Sequence, residues 1–450
     1  MDLYTSLISG LFFPLQEHFK KHDSVAVRKQ MEISQWWDDK RLKELQLSSL
    51  CRLLVHVEAH VPYYRECFAE IGFKARDVHL LSDLTRLPLL DKTTIRHNIE
   101  ALKSDNARYL ASFNTGGSSG NPLIFYIGKE RVSHDVAAKW RATRWWGVDI
   151  GDPEIVIWGS PIELGAQDSM RALRDRLLRT KLLPAFEISE QKLDQFLDEI
   201  RSVRPRMLFG YPSALSHIAR HAETRRRRMD DLGIRVAFVT SERLYDEQRQ
   251  QIGKVFGCPV ANGYGGRDAG FIAHECPHSG MHITAEDIIV EIVDQQGVPV
   301  PYGEVGEIVV THLATRDFPF IRYRTGDIGV LDSKPCTCGR GLPLLKEIQG
   351  RSTDFLVAQN GTVMHGLALI YVLRELPQIL AFKIIQESRD FTRVLAVSEG
   401  GLNPELVEKI ELGFKARLGQ GVKIAIEEVT EIPAEKSGKF RYVISRVAPG

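Results

Sequence analysis

The sequence predicts an α/β protein: a large N-terminal domain of mixed β-sheets covered by helices, followed by a small α+β lid. Three observations carry this. Short apolar runs alternate with helical stretches from residue 110 onward, and four of them ("EIVIWGS", "RMLFGYP", "RVAFVTS", "PVANGYG") finish in glycine, proline or serine. That texture marks a largely parallel sheet covered on both faces, with ligand-binding residues gathered at the carboxyl ends of its strands. Near residue 281 the texture changes to alternating apolar and polar residues with Gly/Pro turns, which marks antiparallel strands. After "QGRSTDFLV" at 349–357 the remaining residues read as strand, helix, strand, helix and strand. The boundaries expected are therefore 1–350 and 351–450.

A chain of 450 residues is long enough for a large core and more than one folding unit. Hydrophobic content of 43% and charged content of 26% are ordinary for a soluble globular protein. A net charge of +1 gives no field that would favour nucleic acid. The one basic run, Arg225 to Arg228, is followed by Asp230 and Asp231 and reads as a solvated helix end. Six cysteines in so long a chain are no disulfide framework. The first residues lack the basic n-region and small-residue cleavage site expected of a secretory signal, and the apolar run from Leu7 to Leu15 falls short of the roughly 20 residues a spanning helix needs. It reads as a helix packed on the core, with contact to a membrane surface or a homodimer as its other uses. The expected compartment is the cytoplasm.

In chain order, residues 34–75 have helical spacing, with Leu42, Leu45, Leu50, Leu53 and Leu54 near one face and Pro62 just past the helix end. Asp91 follows a proline turn as a helix N-cap. Residues 113–122, "FNTGGSSGNP", form a Gly/Ser/Thr-rich turn whose free N–H and hydroxyl groups suit phosphate oxygens. It is neither a Walker loop nor a dinucleotide fingerprint. The following "LIFYIG" points to a β-hairpin. "ANGYGGRDAG" at 261–270 offers an aromatic to stack a base, Arg267 for a phosphate and Asp268 for a hard cation. "FIRYRTGDIG" at 320–329 offers Asp327 as an acceptor for two ribose hydroxyls, and "EIPAEKSGKFRY" at 431–442 offers Lys439 as a glycine-flanked cation. Taken singly, each also reads as an ordinary turn or a frayed tail.

"HECPHSGMH" at 274–282 and "CTCGR" at 336–340 bring Cys276, His282, Cys336 and Cys338 into two short clusters. Three thiolates and an imidazole suit tetrahedral Zn²⁺, with His274 and His278 as rival nitrogen ligands. Free buried cysteines are the other reading. His217 reads as a packing residue. Trp140, Trp145, Trp146, Phe209 and Tyr211 could line an acyl pocket, but aromatics at such spacing are more often plain core.

Together and in this order, the motifs resemble the adenylate-forming superfamily of acyl-CoA synthetases and related ligases. The nearest likeness is to the phenylacetate-CoA ligase branch and its CapK-type members, associated with cell-surface polysaccharide clusters. "TGGSSGNPL", "FGYPSAL", "TSERLYDEQRQQI", "YGGRD", "FPFIRYRTGDIG", "CGRGLP", "GRSTDFLV" and "SGKFRY" carry it across nearly the whole chain. The resemblance implies that a carboxylate attacks the α-phosphate of ATP, giving acyl-AMP and pyrophosphate, and that a nucleophile then displaces AMP. It implies that Thr115, Gly116, Gly117, Ser118, Ser119 and Gly120 cradle the β- and γ-phosphates. Tyr264 and Gly265 would meet the adenine, with Ser241 and Glu242 near its edge. Asp327 would hold the ribose with help from Arg351, and Asp268, beside Arg267, would bind Mg²⁺. The superfamily usually has Thr-Glu where this chain has Arg267-Asp268, so the carboxylate here is shorter. Lys439, carried by a mobile lid hinged at Thr353 or Asp354, would reach the carboxylate and the α-phosphate. The branch implies CoA as acceptor; the alternative is an amine or hydroxyl of a sugar or small metabolite.

Overall fold

The structure is a computed structural model; it describes residues 2–114, 123–158, 169–184, 190–351, 355–432 and 441–447. Residues 2–325 and 329–348 group in one compact unit, and 326–328, 349–432 and 441–447 in a second.

In the first unit the N-terminal third is helical. The helix Asp39–His60 starts at Asp38, whose side chain accepts from the Arg41 amide at 2.8 Å, and buries Leu42, Leu50, Leu53, Leu54 and Val57. Leu45 is only half-buried, a departure from the predicted face. Gln46 takes the inward position and donates to the Ile288 carbonyl at 3.2 Å. Pro62 both ends that helix and opens the next, Pro62–Glu70, where its missing N–H is no loss. Asp91 caps the helix Lys92–His97 by accepting from the Thr94 amide at 2.7 Å.

The strands follow in order: β1 (Ala111–Asn114), β2 (Ile124–Ile127), β3 (Glu154–Trp158), β4 (Thr180–Pro184), β5 (Met207–Gly210), β6 (Val236–Thr240), β7 (Val260–Gly266), β8 (Gly270–Glu275), β9 (Met281–Ile283), β10 (Ile288–Val293), β11 (Gly306–His312), β12 (Tyr323–Asp332) and β13 (Leu344–Arg351). β1 and β2 pair antiparallel, in keeping with the hairpin expected there. The main sheet has the order β10-β11-β12-β13-β9-β8-β7-β6-β5-β3-β4. β4, β3, β5, β6 and β7 are parallel neighbours. The antiparallel section starts at β7 and β8, about one strand earlier than the change of texture near 281 predicted. β4 was not foreseen from the sequence.

The parallel strands read as unbroken apolar runs because both faces are covered. Leu215, Ile218, Ala219 and Ala222 of the helix Pro212–Thr224 and Ile252 and Phe256 of the helix Asp246–Phe256 pack on one side. Ala142 of the helix Lys129–Trp145 and Val148 pack on the other, against Phe209 and Phe238. Arg225, Arg227 and Arg228 pair with Asp194, Asp198 and Asp230 at the surface, as a solvated helix end should.

The helix Lys129–Trp145 is held to the turn before β10 by a half-buried ion pair, His134 Nδ1 to Asp287 Oδ1 at 2.6 Å. Burial works against the imidazolium, but the Asp287 carboxylate outweighs it and raises His134 to about 9. A pKa raised from about 6.5 stabilises the fold fully below pH 6.5, and that stabilisation is lost as pH climbs to about 9. Two and a half units are on the order of 3 kcal/mol. His134→Gln, which keeps a hydrogen bond but not the charge, should therefore be less stable than the parent chain at pH 6. Denaturant melts at several pH values should show that difference shrinking toward pH 10.

The second unit holds β14 (Phe355–Val357), β15 (Val363–His365), β16 (Ile379–Ser388), β17 (Phe391–Ser398), β18 (Lys423–Glu428) and β19 (Val443–Ser445), with helices Leu367–Arg374 and Pro404–Leu418. The sequence predicted one strand between the helices; the structure has the hairpin β16–β17, in a sheet ordered β18-β17-β16-β19. Leu406, Ile410, Phe414 and Leu418 recur every fourth residue on the buried face of the second helix. Buried Gln386 accepts from the Val357 amide at 2.9 Å and donates to its carbonyl at 2.7 Å, joining β14 to β16.

Candidate functional site

The predicted nucleotide residues of the first unit meet at the carboxyl ends of β6 and β7. Thr240 pairs with Gly263, so Ser241 and Tyr264 are the next position along each strand. Ser241 is left-handed at φ 71°, a strained conformation for serine of the kind that recurs at binding sites. Glu242 accepts from the Ser213 amide at 3.2 Å, at the start of the helix Pro212–Thr224. Tyr264 is half-buried at the point where the β7–β8 register shifts. At Gly265 a Cβ would fall on the Gly270 carbonyl oxygen, so only glycine permits this bulge.

The turn that follows, Arg267 and Asp268, is built from beneath. Arg131, fully buried on the helix Lys129–Trp145, donates to the Arg267 carbonyl at 3.2 Å and to the Asp268 carbonyl at 3.3 Å. Its own charge is answered by Asp135 at 2.9 Å. Burial raises that carboxyl, but Arg131 and His312 outweigh it and hold Asp135 below the usual range. The Asp268 carboxylate accepts from the buried Tyr323 hydroxyl at 2.7 Å and from the Ala269 amide at 3.1 Å. Each oxygen keeps lone pairs for a cation, so the shorter side chain is positioned rather than loose. Arg267 is exposed beside it.

Sequence reasoning missed Arg131 and Tyr323. The signal for Tyr323 was inside "FIRYRTGDIG", and that for Arg131 was its i,i+4 partner Asp135. Asp327 stands on β12 after Gly326, whose φ of 78° favours glycine. Arg351 ends β13. Thr115, Gly116, Gly117, Ser118, Ser119, Gly120, Thr353, Asp354 and Lys439 lie outside the described residues.

The four ligand candidates converge. The side-chain donor atoms of Cys276, His282, Cys336 and Cys338 all lie within 4.8 Å of one another. Cys276 Sγ is 3.7 Å from Cys336 Sγ, and Cys338 Sγ is 3.2 Å from His282 Nε2. A tetrahedral ion with Zn–S bonds near 2.3 Å sets its sulfurs about 3.8 Å apart, so this spacing fits zinc. His282 Nδ1 faces the Leu342 carbonyl at 3.3 Å; a carbonyl only accepts, so Nδ1 carries the proton and Nε2 points its lone pair into the cluster. Burial holds His282 down at about 4 and pushes Cys276 up to about 12. The proton on Cys276 is therefore one that a bound cation would have to displace. Gly280 makes room, because a Cβ there would come 2.5 Å from Cys336 Sγ and 3.3 Å from His282 Nε2. Gly339, at φ 82°, turns the chain after Cys338.

The rivals stand apart from these four. His278 meets Thr337 Oγ1 at 3.4 Å. His274 is buried between Phe271 and Phe238, and neither ring nitrogen reaches a partner among the described residues. Around the cluster, Gln35 Oε1 accepts from Trp145 Nε1 at 2.8 Å and Arg340 Nε at 3.2 Å, and Trp145 stands edge-on to His282.

The tryptophans read as core are tethered. Trp140 donates to Asp149 and Trp146 to the Glu275 carbonyl, while Phe209 and Tyr211 stack on Trp158. His217 is exposed on the helix Pro212–Thr224.

Residues 183–314 match the family profile of the AMP-binding enzymes, and 356–446 match the CapK C-terminal domain. The chain is 22% identical over 444 residues to protein CapK of Staphylococcus aureus, covering 98% of this chain and 96% of that one. It is 25% identical over 442 residues to a phenylacetate-coenzyme A ligase of Thermus thermophilus, covering 90% and 96%. A 2-hydroxyisobutyryl-CoA ligase, solved in its postadenylation state in complex with R3-HIB-AMP, shares the fold at a TM-score of 0.72 and 22% identity, covering 91% and 90%. The chain thus carries an AMP-binding-enzyme domain and a CapK C-terminal domain, and along nearly its whole length it is similar to CapK and to the phenylacetate-CoA ligases of the adenylate-forming superfamily.

Proposed function

We propose that the protein activates an organic carboxylate as its acyl-AMP, releasing pyrophosphate, and then passes the acyl group to the thiol of CoA, in the cytoplasm. The observation that carries this reading is the pinned turn at Tyr264–Asp268 inside the AMP-binding match: an aromatic, a cation and an oriented carboxylate in succession at the strand ends. Tyr264 stacks on adenine, with Gly265, Ser241 and Glu242 at its edge. Asp268 takes Mg²⁺, and Arg267 meets phosphate. The glycine-serine loop from Thr115 to Gly120 holds the β- and γ-phosphates, and Asp327 and Arg351 take the ribose. Catalysis then rests on fixed charge and orientation, with Lys439 neutralising charge that develops between the acid and the α-phosphate. Zinc at Cys276, His282, Cys336 and Cys338 is structural: all four positions are protein ligands, which leaves no place for a substrate.

A second reading keeps the adenylate and changes the acceptor to an amine or hydroxyl of a sugar or small metabolite. The CapK-type match of residues 356–446 favours it. Supplying ATP, a panel of carboxylates and CoA separates the two by mass spectrometry. The first reading expects acyl-CoA and AMP; acid-dependent pyrophosphate exchange with no thioester from any acid of the panel would move the assignment to the second.

A further inference from the structure

Leu3, Leu7, Leu11, Leu15 and Phe19 recur at every fourth position along the N-terminal helical segment, with Phe12 beside them. All six are exposed, Leu3 at 88% and Phe19 at 80%. The segment is α-helical over Leu3–Leu7, π-helical over Ile8–Phe12 and α-helical again over Phe13–Lys20. A four-residue repeat drifts around an α-helix of 3.6 residues per turn; the wider π turn offsets part of that drift and keeps the stripe on one side. The sequence reading of a core-packed helix therefore holds for one face only.

That inner face is fixed by polar as well as apolar contacts. Thr5 Oγ1 donates to Asp152 Oδ1 at 2.9 Å, and Phe13 stands edge-on to Trp140. Buried Glu17 accepts from Ser24 Oγ at 2.6 Å and lies 3.2 Å from His22 Nδ1. Rolling the stripe inward would strand these buried oxygens. The helix Ser169–Leu177 lies alongside: the Tyr4 hydroxyl donates to the Leu177 carbonyl at 2.9 Å, and Arg179 stacks on Tyr4 at 3.8 Å. It adds exposed Leu173 and Leu177. Cations rim the apolar residues, with Lys20 and Lys21 at the end of the first segment and Arg176 between the two leucines. From Leu3 to His22 the only acid is Glu17, which is buried and lies 3.5 Å from Lys20; Asp23 follows, and Asp2 and Asp175 are held by Arg179 and Arg174.

We propose that this face docks on the surface of an anionic lipid bilayer, an interaction beyond the ligase reading. The leucines and phenylalanines would sink to the headgroup–acyl boundary, and Lys20, Lys21 and Arg176 would meet lipid phosphates. No helix of the described residues is long and apolar enough to cross a membrane, so the contact lies in the interface plane. A second copy is the poorer occupant, because pairing two such faces would bring like-charged rims together.

Sedimentation of the full chain with vesicles tests this. It should bind vesicles of phosphatidylcholine with about one-third phosphatidylglycerol at least about tenfold more tightly than phosphatidylcholine alone. Leu7→Gln with Leu11→Gln should lower binding at least about tenfold. Lys21→Glu with Arg176→Glu should abolish the preference for anionic lipid; both are exposed cations away from the Glu17 contacts, and they decide the matter if the leucine variant misfolds. Absence of binding to anionic vesicles, or binding unchanged in the variants, overturns the proposal. So does stripe-dependent dimerisation in analytical ultracentrifugation without vesicle binding.

Discussion

Replacing Cys276 with serine should abolish zinc retention: elemental analysis of the parent chain should return about one zinc per molecule and that of the variant almost none. Residues that merely orient a metal ligand are worth about 10–100-fold in affinity, so removing a ligand should cost more than a hundredfold. His282→Gln should behave alike, whereas His278→Gln, outside the cluster, should leave zinc in place. Zinc binding must displace the proton of Cys276, which burial pushes up to about 12. Affinity therefore rises with pH, and acidification releases the ion. The parent chain should lose thermal stability in a strong chelator, and Cys276→Ser should show little further change. If purified parent protein carries no zinc and takes none up, the four groups are three free thiols and a histidine.

Lys439→Ala should slow acyl-AMP formation by one to two powers of ten or more. Charge-assisted hydrogen bonds are worth about 1.5–3 kcal/mol, and each 1.36 kcal/mol removed from transition-state stabilisation alone is tenfold in rate. The readout is acid-dependent pyrophosphate exchange. Transfer from preformed acyl-AMP should be nearly unaffected, which separates loss of this contact from loss of the fold. An unchanged first half-reaction would remove Lys439 from the mechanism.

Much of the architecture was legible because local chemistry and global fold agree. β3, β5, β6 and β7 announced themselves as apolar runs closed by small or polar residues, since buried parallel strands have no wet face to alternate with. Asp91 was readable as a cap because capping is decided within four residues. What failed was decided by partners far away in sequence. Gln46 displaces Leu45 from the inner face because the Ile288 carbonyl lies 242 residues on. Arg131 reaches the Asp268 carbonyl across 137 residues, and His134 reaches Asp287 across 153, so the sequence around each does not name its distant partner, even where Asp135 marks Arg131 locally. The cysteines are the exception: Cys276 and Cys336 are 60 residues apart, yet each lies in a short cluster of metal-binding side chains. In the C-terminal unit β17 was overlooked because one long strand and a hairpin of two share the same alternation, and only the turn between Ser388 and Phe391 tells them apart.

The central claim, that ATP is cleaved between its α- and β-phosphates to adenylate an acid, is tested most directly by the nucleotide product. Incubated with ATP, Mg²⁺, CoA and a carboxylate panel, the chain should release AMP and pyrophosphate in equal amounts, and only with an accepted acid. Acid-dependent formation of ADP and phosphate instead would contradict it.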